Sequence, residues 1–115
     1  MFIGAIILGV IFLLVIMTKD KWMFTQEISS NAYLIDVRTP SEFKNGSVPN
    51  ARNIPLSEIS MFVDELSNKV NIVVFCRSGI RSANAKKILE SNGIENVVNG
   101  GSLKNVQNAL RVKNN

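Results

Sequence analysis

The chain has 115 residues, a net charge of +4, one cysteine and no histidine. This length is sufficient for one small domain, and the lack of histidine excludes a Ser-His-Asp triad, a Cys-His protease dyad and a histidine-based zinc site. A single cysteine excludes an internal disulfide and a CxxC pair. The basic residues form no block of the kind that binds nucleic acid. We therefore expect no metal, no cofactor and no nucleic-acid partner.

The first predicted element is an apolar segment, Met1–Thr18, and no charged residue precedes Lys19. As a helix it would be about 27 Å long, close to the ~30 Å hydrocarbon core of a bilayer. A cleaved signal peptide lacks support, because no basic residue precedes the apolar run and residues 16–18 make a poor cleavage site. A buried core helix is the other alternative, but few small domains bury a helix that is apolar on every side. We predict a transmembrane anchor at residues 1–18 and a juxtamembrane linker at residues 19–24.

The charges beside this segment predict its orientation. Lys19 and Lys21 lie on its C-terminal flank, and only the terminal amine lies on the other. Because basic flanks stay on the cytoplasmic side, we expect a single-pass membrane protein whose C-terminal domain faces the cytoplasm.

Residues 25–112 alternate between strand-like and helix-like segments, and residues 113–115 form a short tail. Strands are expected at 32–37, 52–55, 71–75 and 94–98, and helices from Thr39 to near Gly46, over 57–67, over 82–92 and after Ser102. The first of these helices begins with a capping box, since Thr39 is followed by Pro40 and, three residues on, by Glu42. Such alternation favours an α/β fold with a small, mainly parallel sheet flanked by helices.

A candidate site follows the predicted strand 71–75 directly, in the segment Cys76-Arg77-Ser78-Gly79-Ile80-Arg81-Ser82. The segment runs into a helix, whose first N–H groups and dipole attract an anion. Together with Arg77 and Arg81 they favour the thiolate of Cys76, so we expect a reactive cysteine with a lowered pKa. An inert, buried cysteine is the alternative, but these polar neighbours make a poor apolar setting.

Several motifs recur in a known order. Leu34–Arg38 is similar to an IDVR motif, Gly46–Leu56 to a GHIPGAxNIPL stretch, Cys76–Ser82 to a CRSGxRS loop, and Gly100-Gly101 to a GG pair before a last helix. Residues 25–112 therefore resemble a single-domain rhodanese, a sulfurtransferase family with a rhodanese-like α/β fold. The chain departs from the family's pattern at Ser47, where His is frequent, at Asn50, where Gly is frequent, and at Ser102-Leu103, where an aromatic residue is usual.

The resemblance implies covalent catalysis by Cys76. Its thiolate would attack the outer sulfur of a small donor such as thiosulfate, sulfite would leave, and a thiol or protein acceptor would take the sulfur from the Cys76 persulfide. The backbone N–H groups of residues 77–82 would stabilise the persulfide anion. By analogy with the family, Arg81 would pair with Asp36, and Arg38 would support the loop with them. Without the resemblance, Asp36 and Arg38 would be interpreted as ordinary surface charge.

Two further interpretations concern the loop and the kind of activity. Related phosphatases and arsenate reductases have a Cys-x5-Arg loop, whereas this chain has the tighter Cys-x4-Arg, which suits one sulfur atom. Arg77 is expected to be exposed, either attracting an anionic donor or simply solvated. The alternative to an enzyme is a membrane-tethered persulfide carrier or protein-interaction module with little turnover of its own. Since the chain has no second cysteine, the acceptor must lie outside it.

Overall fold

The computed structural model describes residues 2–29 and 31–114. Four strands and five α-helices follow one another along these residues, with one 3₁₀ helix. In chain order they are α1 (Phe2–Ser29), β1 (Tyr33–Asp36), α2 (Pro40–Lys44), β2 (Arg52–Asn53), the 3₁₀ helix (Leu56–Phe62), α3 (Val63–Leu66), β3 (Ile72–Cys76), α4 (Ile80–Ser91), β4 (Val97–Ser102) and α5 (Leu103–Asn114).

The strands form one parallel sheet in the order β2-β1-β3-β4. All five residues of β3 are buried. Because side chains alternate along a strand, both faces of β3 are therefore covered. Ile72, Val74 and Cys76 lie in the core beneath α3 and α4, and Val73 and Phe75 lie in the core beneath α5. The predicted α/β architecture, a small parallel sheet flanked by helices, is therefore confirmed.

Several predicted elements differ from the observed ones at their ends. The predicted helix 57–67 is mostly a 3₁₀ helix that continues into α3. The predicted strand 94–98 was placed too early, because Asn96 has a left-handed φ of 64°, and the strand begins after it at Val97. The capping box is confirmed, since the N–H of Glu42 donates to Thr39 Oγ1 and the N–H of Thr39 donates to Glu42 Oε1, each at 3.2 Å.

Helix α1 runs without a break through residues 19–24, which we predicted to be a linker. Near its C-terminus Ile28 is buried in the core beneath α5. Among the parts of the chain that the structure describes, no helix meets the length and hydropathy expected of a membrane-crossing segment. The predicted anchor at residues 1–18 is thus not supported.

Candidate active site

Cys76 ends the central strand β3, and its side chain is fully buried, with 0% exposure. Four residues later α4 begins at Ile80. The carboxyl ends of β1 and β4 lie on either side, because Asp36 is in register with Phe75, and Ser102 with Cys76. The carboxyl end of a parallel sheet is the usual position of a ligand site in open α/β folds. The two neighbouring strands therefore end in polar residues, Asp36 and Ser102, beside the end of β3.

The sulfur of Cys76 is surrounded by hydrogen-bonding groups of its own loop. The N–H of Gly79 donates to Sγ at 3.0 Å, the N–H of Ser82 donates at 3.4 Å, and Ser82 Oγ lies at 3.4 Å. Burial raises the pKa of the Cys76 thiol, but hydrogen bonds from Ser82 and from the backbone of Gly79 and Ser78 outweigh burial and lower the pKa below its ordinary value. The loop thus favours the thiolate form of Cys76.

Gly79 lets the loop close tightly over the sulfur. Its φ is +97°, in the left-handed region that glycine favours, and a Cβ there would lie 3.3 Å from the Cα of Gly101. The main chains of the Cys76 loop and of β4 consequently approach each other closely. Helix α4 begins immediately after this turn, two residues earlier than predicted, so Ser82 lies in its first turn.

Asp36 and Arg38 form a buried ion pair at the end of β1. The Arg38 guanidinium donates to both carboxylate oxygens at 2.7–3.0 Å, and the side chains are 0% and 8% exposed. Ser47 Oγ donates to the same carboxylate at 2.8 Å, and Arg38 also donates to the Gly46 carbonyl at 2.7 Å. The Asp36 hydrogen bond raises the pKa of Arg38 further. This cluster fixes the segment after α2 to the sheet.

The expected pairing of Arg81 with Asp36 is wrong. Arg81 instead forms a bidentate ion pair with Glu42 of α2, with N–O distances of 2.7 and 2.9 Å. The reason is that Arg38 and Ser47 already occupy the Asp36 carboxylate. The hydrogen bond from Arg81 is the main cause that lowers the pKa of Glu42 to about 2. Glu42 thereby links α2 to the first turn of α4.

The rest of the predicted loop faces solvent. Arg77, Ser78 and Ile80 are exposed, as expected for Arg77. Beside them lies a cleft of about 630 Å³, whose lining includes four basic residues and one acidic residue. These are Arg38, Arg77, Lys104 and Arg111, with Glu42. The positive charge of this cleft suits an anionic ligand. Within the described part of the chain, no cluster of three metal-ligating side chains was found.

Sequence reasoning missed two residues that organise the site. Glu42 was recognised only as a capping residue, and its second contact bridges 39 positions to Arg81. Asn99 of β4 accepts a hydrogen bond from Ser82 Oγ at 2.7 Å and was not singled out. The available signal was a polar amide directly after the predicted strand 94–98 and directly before the glycine pair.

Comparisons with known proteins agree with this geometry. The family model for the rhodanese-like domain matches residues 21–109. A thiosulfate sulfurtransferase of Escherichia coli K12, PspE, is 30% identical over 105 residues, covering 90% of this chain and 89% of that protein. A sulfurtransferase of Allochromatium vinosum is 34% identical over 71 residues, covering 62% of this chain and 66% of its own. The chain spans about half to two thirds of several such relatives, for example 54% of Bacillus subtilis YqhL.

Solved structures point to the same fold. An E. coli rhodanese determined with anions is 35% identical and superposes with a TM-score of 0.59 over 64% of this chain and 89% of that one. The human single-domain sulfurtransferase TSTD1 is 28% identical, with a TM-score of 0.57 over 70% of this chain and 84% of that one. By sequence, by fold and by the position of its cysteine loop, this chain belongs to the rhodanese-like domain family.

Proposed function

We propose that this protein is a sulfurtransferase that carries sulfane sulfur as a persulfide on Cys76. The observation that carries the proposal is the set of donors around the sulfur, the N–H groups of Gly79 and Ser82, in a loop too short for a tetrahedral oxyanion. Donors fixed before the reaction stabilise an anion without reorganisation. The names of relatives, which include sulfurtransferases, support the same class of reaction.

The reaction has two displacements. The Cys76 thiolate attacks the outer sulfur of thiosulfate, a new S–S bond forms at Sγ, and the S–S bond of the donor breaks with its electron pair leaving on sulfite. An acceptor thiolate then attacks the terminal sulfur, takes it as its own persulfide and returns Cys76 as a thiolate. Charge and atoms balance in both steps, and neither needs a histidine base. The donor is the finer part of the proposal, supported by the name of PspE and by the basic cleft.

Steady-state assays test this function. With thiosulfate and a thiol acceptor, we expect sulfite to be released repeatedly by the full chain and not at all by Cys76→Ser, because serine cannot accept a sulfur atom as a persulfide. Ser91→Ala is a matched control, since Ser91 is exposed and its hydroxyl donates to the Ile88 carbonyl within α4. Release of one sulfite per chain without turnover would favour the carrier alternative. Sulfite release by Cys76→Ser would refute the assignment of Cys76 as the nucleophile.

We also propose that residues 1–18 tether the domain to the cytoplasmic face of a membrane. The support is the charge-free sequence before Lys19 and the exposure of the large apolar side chains between Ile3 and Val15, which ranges from 48% to 73%. Apolar surface of this extent is unfavourable in water and is covered by a partner or by lipid.

Flotation with neutral phosphatidylcholine vesicles tests the tether. The full chain is expected to float with the vesicles, and the Ile7→Lys, Ile11→Lys double variant is expected to stay behind, because each lysine opposes insertion. The control replaces the same two residues with Val. Equal flotation of the lysine and valine variants would contradict the tether. Digestion of residues 25–112 by protease added to intact protoplasts would contradict the cytoplasmic orientation.

A further inference from the structure

Asn99 lies on β4 directly behind the Cys76 loop and makes three side-chain hydrogen bonds. Its Oδ1 accepts the N–H of Gly101 at 2.9 Å and Ser82 Oγ at 2.7 Å, and its Nδ2 donates to the carbonyl of Gly79 at 3.3 Å. The amide therefore connects the turn at Gly79, the first turn of α4 and the glycine pair.

Backbone groups fix which way the Asn99 amide points. The N–H of Gly101 can only donate, so the atom beside it is Oδ1, and the carbonyl of Gly79 can only accept, so the atom beside it is Nδ2. Oδ1 carries no hydrogen. The short contact with Ser82 must therefore be a bond that the serine hydroxyl donates.

A serine hydroxyl has one hydrogen to donate. With that hydrogen directed at Asn99, Ser82 Oγ presents lone pairs to Cys76 Sγ, 3.4 Å away. A protonated thiol can donate to these lone pairs, whereas a thiolate gains nothing from them. The Gly101 carbonyl, 3.5 Å from Ser82 Oγ, is a weaker second acceptor and also lies away from the sulfur. Among the described residues, the groups then directed at the thiolate are the backbone N–H groups of Ser78, Gly79 and Ser82.

We propose that Asn99 is a positioning residue that holds the Ser82 hydroxyl hydrogen away from Cys76 and so keeps the sulfur a stronger nucleophile than its loop alone would. The physical reason is that the intrinsic nucleophilicity of a thiolate falls as its basicity falls, and a further hydrogen bond would lower both. The proposal rests on the proposed function in one respect, that Cys76 is the attacking group.

The charged groups at this end of the sheet are the same in every variant of the test. They are Arg77 in the loop, Arg81 on α4, whose positive charge acts on Cys76, Glu42 on α2, the Asp36–Arg38 pair at the end of β1, and Lys104 and Arg111 on α5, which line the adjacent cleft. On β4 the neighbouring side chains, Asn99 and Ser102, are neutral. A difference in the pKa of Cys76 between variants of Ser82 and Asn99 therefore reports on the hydroxyl hydrogen and not on a changed charge.

The test is the pKa of the Cys76 thiol, measured from the pH dependence of its alkylation by iodoacetamide in four chains: unchanged, Ser82→Ala, Asn99→Ala and the double variant. We expect Ser82→Ala to leave the pKa unchanged or slightly lower, because its hydrogen does not reach the sulfur. Asn99→Ala should lower the pKa by about one unit, roughly tenfold more thiolate at a given pH, because the freed hydroxyl turns to the sulfur. In the double variant this lowering should disappear.

A rise of more than about half a unit in the pKa of Cys76 on Ser82→Ala would overturn the proposal, since it would mean that the Ser82 hydroxyl already donates to the sulfur. An equal shift on removing Asn99 in both Ser82 backgrounds would also overturn it, because Asn99 would then act by another route. If Asn99→Ala does not fold, Ser82→Ala alone tests the proposal: a higher pKa of Cys76 overturns it, and an unchanged or slightly lower pKa supports it. No sulfur donor enters the measurement, so its failure is distinguishable from a failure of sulfur transfer.

Discussion

At the scale of single residues, Arg38 and Arg81 have different surroundings. Arg38 is buried with Asp36, and its guanidinium donates hydrogen bonds to both carboxylate oxygens. Arg81 shares an ion pair with Glu42 in which both side chains are about one third exposed, at 33% and 30%. Solvent screens the second pair much more than the first. The family analogy, which assigned Asp36 to Arg81, therefore identified the right residue types and the wrong partners.

This difference predicts unequal costs for the same substitution. Arg38→Met leaves a buried carboxylate without its counter-ion and should lower the free energy of unfolding by about 3 kcal/mol or more. Arg81→Met removes a partly exposed pair and should cost at most about 1 kcal/mol. Urea denaturation of the two variants at neutral pH measures both. Equal costs, or a larger cost for Arg81→Met, would contradict the assignment of the buried pair.

At the scale of elements, the sequence predicted what local chemistry determines. The capping box at Thr39, the strand before Cys76 and the helix after Ser102 each depend on neighbours within a few residues, and each is present. The later start of β4, at Val97, and the 3₁₀ geometry after Leu56 were not predicted. Left-handed residues such as Asn96 leave little signal in hydrophobic periodicity.

The candidate site likewise has a part that the sequence predicts and a part that it does not. Cys76 and the donors that follow it are contiguous, so a motif predicts them, although their role in catalysis stays a prediction. Glu42 and Asn99 reach the loop across 39 and 17 positions from Arg81 and Ser82. Contacts of this kind depend on sheet register and helix packing, which one sequence does not specify.

At the scale of the whole molecule, the parallel sheet explains why one end carries the chemistry. The order β2-β1-β3-β4 places the strand that bears Cys76 in the interior, between the strands that end at Asp36 and Ser102. The basic cleft opens beside the same end, and α1 packs through Ile28 on the α5 side. Sulfur delivered to the one cysteine must leave with an external acceptor, so the persulfide is the central species of the proposed function.

Mass spectrometry of the intact chain after incubation with thiosulfate tests that species most directly. We predict a gain of about 32 Da, one sulfur atom, which locates to the peptide containing Cys76 and is lost on adding a thiol acceptor. Ser91→Ala should gain the same mass and Cys76→Ser none. A chain that gains no mass with thiosulfate or with any persulfide donor, while Cys76 is still alkylated by iodoacetamide, would contradict the proposal that this loop carries sulfur.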